Sequence, residues 1–256
     1  MGEAAQLERR AGNLAPVQSY PSAPGYEPGY APAPPTVRAM TIDDVVVRTV
    51  GLLGLTGLSG ALAWAFVPDE SAFGFAMGAA VVGLILGLVI AFARVTNPLV
   101  ICSYAIVEGV FLGLISKFFE ARFEGIVVQA AVGTFGVFFL MAMLYKARVI
   151  RATPKFVKGV IAATLGAVAI MAVNLIMSLF GVNLHLRDGG PIAILVSLVF
   201  IVIAALNFVL DFHMVEEGVR YGLPQKYAWA CAFGILVTLI WMYIEILRLL
   251  SYLRGD

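Results

Sequence analysis

The run from Pro191 to Met214 closes on Asn207-Phe208-Val209-Leu210-Asp211-Phe212-His213-Met214, and its reading decides the fold. No charged side chain occurs between Pro191 and Leu210. A helix of that length, about 20 apolar residues, crosses the roughly 30 Å hydrocarbon core of a bilayer. Asp211 then places a carboxylate at the end of a lipid-spanning stretch. A charge at such depth costs ~2.5–3.5 kcal/mol on insertion scales, so it needs a partner, a proton or a water-filled cavity.

Composition extends this reading to the whole chain. Of its 256 residues 61% are hydrophobic and only 13% charged, whereas a soluble domain carries charge on about a quarter of its residues. The excess apolar surface must face lipid, so the chain is expected to be all-α and polytopic. No basic stripe interleaved with aromatics lies outside the apolar segments, which argues against nucleic acid as a partner. The two cysteines, Cys102 and Cys231, sit in apolar segments and suggest neither a disulfide framework nor a thiolate metal site. The two histidines, His185 and His213, form no metal-binding spacing, so no metal or cofactor is expected. No nucleophile-base set or phosphate loop can be assembled, so the chain does not read as an enzyme.

Residues 1–40 are a different polymer. Prolines alternate with Gly, Ala and Tyr, and Pro-Gly-Tyr occurs in two near copies around Tyr26 and Tyr30. Such a composition cannot bury a core and predicts a disordered cytoplasmic tail. Residues 41–256 form the second unit, opened by Thr41-Ile42-Asp43-Asp44, a helix cap followed by carboxylates at the positive end of the dipole. Seven apolar segments are predicted near 45–67, 72–93, 98–118, 125–145, 156–180, 191–213 and 227–249. With the N-terminus cytoplasmic, twelve lysines and arginines fall on that side and five on the other, led by the loop at 146–158. Arg248 and Arg254 run against this bias, and a re-entrant or tilted last helix would accommodate them. Gly51, Gly54, Gly57 and Gly60 recur every three residues, and Gly83/Gly87 and Gly109/Gly113 are spaced by four. The first set is expected to mark a tight helix contact.

Four ionisable residues fall within the spans: Glu108, Asp211, Glu245 and Arg248. Glu108, midway along the third segment, must be neutral, paired or facing water. Glu245 and Arg248 are three apart and share a helix face, which suggests an internal salt bridge or a place on an ion path. Asn174, Asn207 and Thr238 read as polar glue between helices. Arg94 ends the second segment on the same side as Asp211. If those two helices are neighbours, the pair forms a partly buried latch that protonation of Asp211 would release.

Leu210-Asp211-Phe212, Glu216-Glu217-Gly218, Tyr227-Ala228-Trp229 and Ile246-Leu247-Arg248-Leu249-Leu250 occur in that order. Together they resemble the transmembrane Bax inhibitor motif (Bax inhibitor-1-like) family. Tyr104-Ala105-Ile106-Val107-Glu108-Gly109 and the Pro-rich tail look like its actinobacterial-type branch. The resemblance implies two three-helix layers wrapped around a central last helix, in a bacterial plasma membrane. It also implies a pH-sensitive calcium leak closed by an arginine–aspartate latch, at Arg94 and Asp211 here. The family carries a second aspartate ten residues before the arginine of the last motif, and counting back from Arg248 reaches Thr238. That carboxylate is absent, which leaves Glu245 or Glu108 as the substitute.

The expectation is therefore a passive calcium or cation leak, with Asp211 and Arg94 as gate and proton sensor. Glu108, Glu245 and Thr238 would lie on the ion path or act as secondary proton sites. The alternative is a regulatory membrane protein without transport, which binds a membrane protease or a stress-response partner through its tail.

Overall fold

The computed structural model describes residues 38–181 and 188–255. The predicted disordered tail lies outside the described residues except for its last three, Arg38 to Met40. Seven helices follow: α1 (Ile42–Phe66), α2 (Asp69–Phe92), α3 (Pro98–Arg122), α4 (Ile126–Lys146), α5 (Pro154–Leu179), α6 (Pro191–Arg220) and α7 (Tyr227–Arg254). All seven are long and apolar enough to cross a membrane, and no strand is present among the described residues.

Local chemistry sets the helix starts. Thr41 and Asp44 form a reciprocal capping box: the Asp44 N–H donates to Thr41 Oγ1 at 3.2 Å, and the Thr41 N–H to Asp44 Oδ2 at 3.0 Å. Asn97 and Thr153 cap α3 and α5, each directly followed by a proline whose missing N–H costs nothing at that position. The start of α4 falls where the segment near 125 was predicted, but what anchors it had no sequence signal. Gly125 turns there with φ +76°, and the Glu120 carboxylate accepts the Gly125 and Val127 N–H groups at 2.6 and 3.0 Å.

The helices form two layers. In the first, α1 and α2 pack on α3; in the second, α4 and α5 pack on α6. By backbone proximity α2 neighbours only α3, and α5 only α6. Helix α7 touches α1, α3, α4 and α6 and is the most enclosed, with 61% of its apolar window buried against 11–44% in the others. It is not re-entrant. Its first turn lies beside the α6–α7 connection, and at its far end Arg254 donates to the Glu124 carbonyl in the α3–α4 turn at 2.8 Å.

The boundary between tail and helices falls earlier than residue 40. The Met40 N–H donates to the Leu223 carbonyl and the Gln225 N–H to the Arg38 carbonyl, at 2.8 and 2.9 Å. This strap ties Arg38–Met40 to the α6–α7 turn. Met40 itself is 2% exposed, with its thioether lodged over Gly218. A buried apolar side chain belongs to the core that it fills, whatever the composition of the segment before it.

The glycine spacing behaves differently from expectation. Gly51, Gly54 and Gly57 have open space where a Cβ would stand, and of that set only Gly60 makes close contact. At 3.6 residues per turn a three-residue step rotates about 60° backwards, so four such glycines spiral around the helix. A four-residue step drifts only about 40° and keeps a stripe. Accordingly Gly109 and Gly113 of α3 meet α1 backbone to backbone: a Cβ on Gly113 would lie 2.2 Å from the Gly60 carbonyl oxygen. Gly113→Ala is therefore expected to destabilise at or beyond the top of the ~1–3 kcal/mol range for overpacking, because backbone cannot move aside. Gly57→Ala should change little. Thermal unfolding in detergent micelles separates the two.

Candidate functional site around Asp211

Asp211 sits half-buried on α6 against α7. Two α7 residues one turn apart receive it. Thr238 Oγ1 donates to Asp211 Oδ2 at 2.7 Å, sharing the proton with the Gly234 carbonyl at 3.2 Å. Gly234 makes the space, since a Cβ there would stand 3.1 Å from Asp211 Oδ1. The carboxylate thus obtains a donor where water is scarce, and a hydrogen bond to a charged acceptor is among the stronger kinds. Phe208 and Phe212 flank it on α6, stack on each other and meet the Phe138 ring of α4 edge-on.

Arg94 is placed elsewhere. It is exposed in the turn after α2, with φ 50°, and its side chain makes no ion pair or hydrogen bond among the described residues. The expected Arg94–Asp211 latch is not formed. Its premise was that α2 and α6 are neighbours, but they do not touch, and α3 with at least one further helix stands between them.

The remaining carboxylates occupy separate interfaces. Glu108 on α3 is buried at 9% exposure and faces α2, where Gly83 leaves room: a Cβ on Gly83 would lie 2.6 Å from Glu108 Oε1. Tyr104, one turn earlier, packs over Gly87 in the same way at 3.2 Å. Glu245 is 1% exposed, and Arg248 Nη1 donates to its Oε1 at 2.8 Å, the internal salt bridge that their spacing suggested. Asn207 serves as glue, with its amide donating to Thr164 Oγ1 of α5 at 2.8 Å. The structure therefore brings Asp211 and Thr238 together and leaves Arg94, Glu108 and Glu245 apart from them.

Two contacts had no sequence signal. The Tyr145 hydroxyl of α4 donates to the Glu216 carboxylate of α6. An apolar cavity of about 500 Å³ lies between α1, α3, α4 and α7, and the Ser116 and Tyr243 hydroxyls pair at its wall at 2.6 Å. Both depend on which helices become neighbours.

Thr238→Val keeps the shape but removes the donor, leaving Asp211 without its hydrogen bond. A loss of ~1–3 kcal/mol is expected. Thr238→Ser should recover most of it, as read by thermal unfolding in detergent.

A search of curated proteins finds no match for the chain. A family model described as Bax inhibitor 1 like matches residues 3–255, nearly the whole length. With seven membrane-length helices, the last of them the most enclosed, the chain belongs to the Bax inhibitor 1 like family of multi-pass membrane proteins.

Proposed function

We propose that the protein is a pH-sensitive passive leak for calcium or another cation, in which the α6–α7 seam is the gate and Asp211 its proton-accepting group. The observation that carries this reading is the Thr238–Asp211 hydrogen bond joining the two helices. An ionised Asp211 accepts the threonine hydroxyl with charge assistance; protonation removes the charge and weakens the bond that holds the seam. Flux should therefore rise as pH falls through the titration of Asp211. Threonine does not ionise, so the sensor is a single carboxylate and not a coupled pair, and its response should follow one proton. A lone carboxylate offers few of the 6–8 oxygen ligands that calcium takes, which suits passage over storage. The excess of lysine and arginine on the tail's side supports a cytoplasmic N-terminus, and a bacterial plasma membrane is what the family resemblance implies.

The strap supports a second role, regulatory and not transporting. Arg38–Met40 pins the segment after the Pro-rich tail to the turn that joins α6 and α7. A partner that grips the tail, such as a membrane protease or stress-response protein, would pull on the same seam. Deleting the tail up to residue 36 separates the readings: flux that survives while a cellular phenotype is lost favours the partner.

Cation flux from proteoliposomes across pH tests the leak. Asp211→Asn should abolish the pH dependence, and Thr238→Val should raise flux at neutral pH. Arg94→Gln should leave the profile unchanged, because Arg94 does not reach the seam. A wild-type profile in Asp211→Asn removes the gate from this residue.

A further inference from the structure

The connection between α4 and α5 carries more positive charge than the fold uses. Lys146, Arg148, Arg151, Lys155 and Lys158 are all exposed. None of the five makes a hydrogen bond or ion pair through its side chain among the described residues. No aspartate or glutamate occurs from residue 125 to residue 187, so this helical hairpin has no carboxylate with which to neutralise them. The acids of the α6 end are engaged: Glu216 accepts from Tyr145, and Glu217 from Arg220 at 2.8 Å.

Folding does not account for this charge. Lys155 sits in the first turn of α5, where the helix dipole disfavours a cation, and that turn has no acidic residue. Arg148 adopts φ 57°, a left-handed conformation that glycine takes at less cost. The loop is also held in place. Ile150, Ala152 and Phe156 pack against the main core cluster, and the Arg148 and Val149 N–H groups bond back to α4 carbonyls at 2.9 and 3.0 Å. The apolar side chains grip the body while the cations point outward.

Position selects the counter-charge. One membrane helix ends at Lys146 and the next begins at Pro154, so the short connection between them lies at the depth of lipid headgroups. From this geometry we infer that the α4–α5 loop is a docking surface for anionic phospholipid headgroups of the adjoining leaflet. Basic clusters next to a membrane helix concentrate such lipids, and the attraction fades as salt shortens the screening length from ~10 Å at 0.1 M to ~3 Å at 1 M.

The test uses the full chain in vesicles of phosphatidylcholine with a minor fraction of phosphatidylglycerol, with bound lipid counted by native mass spectrometry after extraction. Phosphatidylglycerol should be enriched over its bulk fraction at low salt and not at high salt, a comparison that needs no mutant. The variant Arg148→Gln/Arg151→Gln/Lys155→Gln should lose roughly tenfold of that enrichment or more. Arg148→Lys/Arg151→Lys should keep it, and thermal unfolding of each variant in detergent reports folding. Absence of enrichment, enrichment indifferent to salt, or equal enrichment in the neutralised variant overturns the inference. So does displacement of phosphatidylglycerol by inorganic phosphate, which would mark a site for soluble anions.

Discussion

A carboxylate in hydrocarbon must find a hydrogen-bond donor or lose its charge, and the contact of Asp211 with Thr238 satisfies that requirement between two helices. The donor stands on α7, the helix that the other layers enclose, so the most costly group in α6 faces the most protected surface of the bundle. Glycine makes the contact possible. Gly234 admits Asp211 and Gly83 admits Glu108, each leaving the volume of a side chain for a carboxylate on the facing helix. Glu245 is met by a cation on its own helix, Arg248. The three intramembrane acids thus have three distinct local settings, and that of Asp211 joins two helices through a bond that protonation weakens.

The close approach of α1 and α3 is the second constraint. In lipid, apolar side chains gain little by leaving one hydrocarbon for another, so association rests on contact and on polar bonds. Gly60, Gly109 and Gly113 bring the two backbones together, and Thr56 Oγ1 donates across the gap to the Ala105 carbonyl at 3.1 Å. The outer helices α2 and α5 lean on one neighbour each, with Lys117 of α3 paired to Asp69 at 2.6 Å and Asn207 of α6 bonded to Thr164. Each layer therefore has one tightly enclosed side and one lipid-facing side.

The ends of the bundle are organised by charge. Asp44 is approached by Arg48 at 3.4 Å and accepts from the Gln225 amide at 2.8 Å, which links the start of α1 to the α6–α7 turn. Met40 lies between them as an apolar plug. At the same end the α4–α5 loop keeps its cations out of these pairings, so the surface presents both a closed polar clasp and an open basic edge.

The seven spans, their all-helical character and the cap at Thr41 were legible in the sequence. Hydrocarbon thickness and helix-end chemistry are local rules that a linear string of residues displays. The pairing of Glu245 with Arg248 was legible too, because both lie on one helix face. Counting back from Arg248 to the last-helix aspartate that the family resemblance implies reached Thr238, though as a missing carboxylate and not as the donor it is. The partner of Asp211, the isolation of Arg94, the burial of Met40 and the facing glycines were decided by tertiary structure alone. Each depends on which helices stand side by side, and neighbouring in a bundle is set by the fit of surfaces that lie far apart along the chain.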